Sequence, residues 1–276
     1  MNIYNNFAVM SYSFHGLISA GAMDVFGYLE TVRYRYGLGT ADIWNGLLKS
    51  FDEDYLKLVK QHVDERGLTV VNLCCDGCHV WADDAEGRAE LEKKAWQNLR
   101  AAEILEAKTI RIDAGVQGED FSEENFEYVA KKYAEYCKRA AEFGAALGTE
   151  NHWGATRSIE NVRRLYSAVT EPNFKLLLHL GNWRDGGEDQ KDLNDLEMIT
   201  KAMHMHCNYE HCIDADRVLP PLFAKGYGGC WTVESHKGFN EYNNVAFQLA
   251  QMRRVIAPLY YNMKDKIVTI PEGVKV

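Results

Sequence analysis

A chain of 276 residues, 46% hydrophobic and 26% charged, can bury one large core or two smaller ones and has the composition of an ordinary soluble globular protein. Its net charge of −9, with the acidic residues spread along the chain, disfavours a protein whose main task is to grip nucleic acid, which needs a basic face. No apolar run reaches the length of about 18 residues that a membrane span needs, and the first residues lack the basic and apolar segments of a secretory signal.

Seven cysteines are too few for a disulfide scaffold. Their odd number, with no secretion signal, leads us to expect reduced thiols and a cytoplasmic location. Cys75 and Cys78 form a C-x-x-C without a second copy, so they read as strand-end packing rather than as a zinc or redox pair.

Short apolar runs alternate with amphipathic stretches from end to end. Residues 7–12 read as the first strand, and 23–36 as a helix with Val25, Leu29 and Val32 on one face. A strand at 40–44 is followed by a helix from a cap at Asp52 to Arg66, stopped by Gly67. Then come a strand at 69–73, a long helix over 86–106 and a strand at 109–113. Ser122 caps a helix expected to continue to Leu147, where the fifth strand leads to Glu150. The remaining units are a helix over 158–169, a strand at 174–180, a helix near 192–201, a strand at 202–207, a helix over 214–225 despite Pro220 and Pro221, a strand at 230–234 and a helix over 241–256. Beyond Pro258 the chain reads as an irregular tail. Eight strand–helix units predict an α/β fold, a single (β/α)8 barrel over residues 1–276, with no linker or composition shift to divide it. An open doubly wound sheet would carry a glycine-rich phosphate turn, and neither G-x-G-x-x-G nor G-x-x-x-x-G-K occurs.

The gaps between Glu150, His179, His206 and Glu234 are 29, 27 and 28 residues, each the length of one strand, one helix and two loops. The active site of such a barrel lies at the C-terminal ends of its strands, so these four side chains are expected to converge. Two carboxylates and two imidazoles suffice for a divalent cation, which would also neutralise two acids sharing one mouth. His152, two residues beyond Glu150, returns to the same side of an extended strand and becomes a substrate contact. Arg111, between Ile110 and Ile112, points inward or pairs with an acid such as Asp113, and is a candidate for binding an anionic or hydroxyl-rich substrate. Trp81 and Trp183 near strand ends could stack on a sugar face, and His236 follows a strand and could touch substrate. His204 is expected to pack outward.

The Glu150–Gly154 segment, the strand carrying His204 and His206, and the stretch from Lys225 to Glu234 resemble the sugar phosphate isomerase/epimerase family of the xylose isomerase-like TIM barrels, to which endonuclease IV is also related. Residues 10–14 resemble that family's first strand. The resemblance implies one divalent ion, often manganese, held by Glu, Asp, His and Glu from strands five to eight. Carried over, the ligands are Glu150, position 179, His206 and Glu234, with Glu150 and Glu234 as the proton-moving pair. Position 179 departs from the pattern: the family's Asp, in a segment resembling residues 178–182 with Asn182 as a substrate contact, is here His179. Imidazole suits manganese, zinc or cobalt, and the lost negative charge disfavours magnesium.

The implied activity is a metal-dependent isomerase or epimerase acting on a small sugar or keto-sugar, with neither nucleic acid nor membrane as partner. Barrels of this kind often pair, so a homo-oligomer is compatible. A lyase of the same barrel type (inosose dehydratase-like or C-glycoside-cleaving) and a non-catalytic sugar-binding homologue are the alternatives. An endonuclease IV-like role conflicts with the negative charge.

Overall fold

Strands and helices alternate throughout the computed structural model, which describes residues 6–267, with side chains to Tyr261. The order is β1 (Phe7–Val9), α1 (His15–Ser19), α2 (Val25–Glu30), β2 (Thr40–Trp44), α3 (Glu53–Glu65), β3 (Thr69–Cys75), α4 (Ala85–Ile104), β4 (Thr109–Ile112), α5 (Glu123–Glu142), β5 (Ala146–Gly148), α6 (Ile159–Ala168), β6 (Leu176–His179), α7 (Glu188–Met198), β7 (Ala202–Cys207), α8 (Tyr209–Ile213), α9 (Ala215–Ala224), β8 (Trp231–Val233) and α10 (Glu241–Ile267).

The strands form two parallel four-stranded sheets, in the orders β2-β3-β4-β5 and β6-β7-β8-β1. Isolated bridges join Met10 to Asp42 across one seam, and Leu147 to Phe174 and Glu150 to Leu177 across the other. The eight strands therefore close into a (β/α)8 barrel. Gly148 lies at the β5–β6 seam, where a Cβ would sit 1.6 Å from the Lys175 carbonyl oxygen, so only glycine lets the two backbones approach this closely.

Apolar strands buried on both faces account for the near-continuous hydrophobic runs such as Leu176–Leu178. The helices bury one face each, and their caps are partly as the sequence suggests. Ser122 Oγ accepts from the Asn125 amide, and Asp24 Oδ1 from that of Gly27. Asp52 occupies the cap position of α3 but makes no side-chain cap, because its carboxylate takes the Ser50 hydroxyl instead.

Several boundaries differ from the sequence reading. β1 ends at Val9 rather than at Tyr12, and α2 gives way to a π-helical turn over Thr31–Arg35. α5 stops at Glu142, where Gly144 takes φ +78° and turns the chain into β5. The expected irregular tail from 258 is replaced by helix to Ile267, with Pro258 inside it. Packing overrides the proline here: Leu259 and Tyr260 rest on the core, and the Tyr260 hydroxyl accepts the Trp231 indole N–H at 3.2 Å. Residues 268–276 of that tail lie outside the described residues. Cys75 and Cys78 are buried free thiols bonded weakly to backbone carbonyls, in keeping with packing.

Candidate metal centre and its surroundings

Register decides which side chains enter the barrel. A bulge between Leu176 and Leu177 sets Leu177 opposite His204 and His179 opposite His206. Leu177 belongs to the small apolar cluster inside the barrel, with Met10 and Cys74. Residues paired across a sheet share a face, so His179, His204 and His206 all point inward. The reading of His204 as outward-facing is thus wrong. Two residues apart on a strand, His204 and His206 had to share a side.

Glu150, His179, His206 and Glu234 each offer a ligand atom, and these atoms lie within 4.8 Å of one another. His179 Nδ1 stands 3.0 Å from Glu150 Oε1 and 3.4 Å from Glu234 Oε2. His206 Nδ1 stands 3.1 Å from Glu234 Oε2. That last approach is not aligned as a hydrogen bond, and both atoms are buried without a hydrogen-bond partner. Buried polar atoms left in this state are costly, and a cation between them would satisfy both. The donor set of two carboxylates and two imidazoles fits a divalent ion.

Asp42, in the middle of β2, completes the arrangement. Its Oδ2 accepts from His206 Nε2 at 2.9 Å and from His204 Nε2 at 2.8 Å, and its Oδ1 accepts from Asn72 Nδ2. A ligand imidazole that donates its second ring N–H to a carboxylate has its orientation and tautomer fixed. Asp42 does this for His206 and leaves Nδ1 facing the cluster. Burial pushes the Asp42 carboxyl up, but the charges on His204 and His206 outweigh it and hold Asp42 well below the usual carboxylate range. Nothing in the local sequence marks Asp42, whose partners lie 162 and 164 residues away.

Arg111 does point inward, and it does pair with Asp113. Its Nη1 donates to Asp76 Oδ1 at 2.7 Å and to Asp113 Oδ2 at 3.1 Å, while Nε lies 3.0 Å from Glu150 Oε2. Burial raises the Glu150 carboxyl, but the charges of His152 and Arg111 override it, and the group is lowered to about 2. Glu234 is also held low, burial being outweighed by His206. His152 Nδ1 bonds Asp113 Oδ2 at 3.0 Å, and Trp153 Nε1 donates to the same oxygen at 3.1 Å. Burial lowers His152, but the Glu150 charge and the Asp113 hydrogen bond raise it to about 9. Asp76 thus joins the site as a residue the sequence reading did not name, and Asp113, expected only as a partner of Arg111, also holds His152 and Trp153.

The other expected substrate contacts divide. His236, half exposed, reaches Glu234 Oε1 at 3.4 Å and remains at the mouth. Trp81 is nearly buried, with its indole N–H on Asp83, and it lines a cleft beside the site. Asn182 spends its side-chain amide on the backbone carbonyls of Asn151 and His152 and so braces the loop after β5. Trp183 is fully buried in the core, its indole N–H on Asp195 Oδ1 at 2.6 Å. A ring with no exposed face cannot stack on a substrate, so Trp183 is a packing residue.

A family model described as a xylose isomerase-like TIM barrel matches residues 34–249. Among solved structures, the apo form of 3-keto-D-glucoside 4-epimerase, YcjR, from E. coli superposes with a TM-score of 0.70 at 17% identity, covering 84% of this chain and 94% of that one. D-psicose 3-epimerase in the presence of D-fructose gives 0.63 at 13% identity, with 93% and 98% covered. The probable 3-DHS dehydratase AsbF from Bacillus anthracis gives 0.64 at 15% identity, with 90% and 98% covered. At these identities the likeness is one of fold. No curated protein matches this chain in sequence.

Proposed function

The chain belongs to the xylose isomerase-like TIM barrel family, and from that premise we propose that it is a metal-dependent isomerase or epimerase acting on a sugar or keto-sugar. The observation that carries the proposal is the convergence of Glu150, His179, His206 and Glu234 on one point, with His206 Nδ1 and Glu234 Oε2 buried and lacking hydrogen-bond partners. Manganese, zinc or cobalt suits this set better than magnesium, which prefers a site of oxygen donors. When bound, the ion supplies Lewis acidity that polarises a carbonyl and acidifies the neighbouring C–H.

The residues of the chain do the rest. Glu150 and Glu234 are both held ionised, the form in which a carboxylate can accept a proton. Arg111 fixes Glu150 from behind, through the 3.0 Å approach of Nε to Oε2. His236, bridging Glu234 and solvent, offers a route by which a proton taken by Glu234 exchanges with water. His152, raised to about 9, is a cation at neutral pH and can hydrogen-bond an oxygen that gains charge during the reaction. With one acid on each side of the site, the proton can be returned to another atom or to the other face.

The test is solvent exchange. Protein reconstituted with Mn²⁺ is incubated in D₂O with a panel of keto-sugars, and deuterium incorporation is followed by NMR. We expect incorporation at the carbon beside the carbonyl, and a loss of at least about 100-fold in Glu150→Gln with the fold retained. Failure of every keto-sugar to exchange, or less than about a tenth of an equivalent of bound metal after reconstitution, would sink the proposal. Elimination of water or of an attached group, in place of a rearranged sugar, would assign the lyase branch. Saccharide binding without either chemistry would leave a non-catalytic homologue.

A further inference from the structure

A cleft of about 420 Å³ opens between the loops after β3 and β4 and the start of α5. Its walls include His79, Trp81, Asp83, Gln117, Asp120 and Asn125. It adjoins the candidate metal centre: the His79 ring meets Trp153 edge-on at 5.7 Å, and the Trp153 indole is bonded to Asp113. The wall is held in place by a close approach at Gly115, which has φ +87°. A Cβ there would sit 2.6 Å from the Trp81 carbonyl oxygen and 2.7 Å from His79 Cδ2.

The walls of the cleft are rich in acceptors. Asp83 and Asp120 contribute carboxylates, and Asn125 Oδ1 is a buried carbonyl oxygen with no hydrogen-bond partner. Between cleft and cluster, Asp113 Oδ2 is saturated by Arg111, His152 and Trp153, while its Oδ1 is buried and unpartnered. Among the described residues, no Lys or Arg lines the cleft. Two guanidiniums that touch its wall residues are themselves engaged. Arg88 lies over the Trp81 ring and donates to the Ala82 and Asp83 carbonyls, and Arg184 donates to the Glu119 carbonyl and stands 3.5 Å from Asp120. Such a wall accepts hydrogen bonds from hydroxyl groups and repels anions.

We infer that this cleft is a second subsite, which takes an uncharged, hydroxyl-rich extension of the substrate, a glycosyl or polyol unit attached to the reacting sugar, and that the substrate is not a sugar phosphate. The inference rests on the proposed sugar chemistry at the neighbouring cluster and deepens it. Its volume is that of a small-molecule pocket.

Four ketoses test it: D-fructose, its glucosyl derivatives isomaltulose and turanose, and D-fructose 6-phosphate. Their affinities for the Mn²⁺-reconstituted full chain are measured by calorimetry. At least one disaccharide should bind about tenfold tighter than fructose, and the phosphate no tighter than fructose. Asn125→Ala should bring the disaccharide-to-fructose ratio to within about threefold of one, and Asn125→Asp, which keeps an acceptor, should restore it. Tighter binding of the phosphate, a ratio unaffected by Asn125→Ala, or no saccharide binding at all would overturn the inference. Metal content and deuterium exchange are read on the same samples. Exchange with a ratio near one overturns the subsite alone, while a preserved ratio without metal or exchange overturns the catalytic reading alone.

Discussion

Asp42 is the residue whose replacement most directly tests how the candidate centre is held. In Asp42→Asn, the oxygen that accepts from His204 Nε2 at 2.8 Å and His206 Nε2 at 2.9 Å becomes an NH₂ donor, while the hydrogen bond from Asn72 survives on the remaining oxygen. Each lost charge-assisted bond is worth about 1.5–3 kcal/mol. One imidazole can change tautomer and accept from the new amide, which recovers part of one bond. The expected net loss is about 2–3 kcal/mol, which lowers the melting temperature by roughly 5–10 °C for a domain of this size. His206 would then be free to turn its Nδ1 away from the cluster, so Mn²⁺ affinity should fall about 10–100-fold. Urea unfolding and competition against a chromophoric chelator measure the two effects. A variant with unchanged stability and unchanged metal affinity would refute the reasoning that Asp42 orients a ligand.

His179→Asp adds a third carboxylate to the set and should shift metal preference toward Mn²⁺ or Mg²⁺ over Zn²⁺ by about tenfold in a competition experiment read by elemental analysis; an unchanged preference would mean that position 179 is not a ligand. Asp195 gives a pH signature outside the cluster. Burial pushes its carboxyl up to about 7, against the donors Trp183 Nε1 and Gly181 N–H. Its folded value lies above the unfolded one near 3.9, so the stability it contributes is complete below about pH 4 and is lost as pH rises through 7. Wild-type stability should fall by up to about 3 kcal/mol between pH 4.5 and 7.5 relative to Asp195→Asn; parallel pH curves for the two proteins would contradict this.

The fold was legible because its signals are local. Strands of four to seven residues such as Leu176–His179 and Thr69–Cys75 alternate with helices marked by caps such as Ser122. The four-residue cluster was legible for a related reason, since a barrel turns equal sequence intervals into equal angular steps. What escaped was whatever depended on contacts across the barrel. Asp42 and Asp76 gain their roles from partners on other strands, and no sequence spacing announces them. His204 was misplaced although strand alternation had already been applied to His152. Asn182 and Trp183 lie close to a ligand in sequence, yet their side chains turn to backbone carbonyls and to Asp195. Pro258 misled in the other direction, because an aromatic contact downstream holds a helix that a proline would otherwise end.

The seam between β5 and β6 has a kinetic consequence. The two sheets meet there through isolated bridges rather than a continuous ladder, with the amides of Lys175 and Leu177 donating to Leu147 and Thr149. Glu150 stands on one side of that line, and His179, His206 and Glu234 stand on the other. The 3.0 Å contact of His179 with Glu150 therefore acts as a rivet across one of the barrel's two seams. An ion at the centre would add further rivets at the same place. The amides of Lys175 and Leu177 would then report ligation through slower hydrogen exchange, while amides inside the β2–β5 sheet kept their rates. The barrel's opening and the loading of its centre become one measurable event.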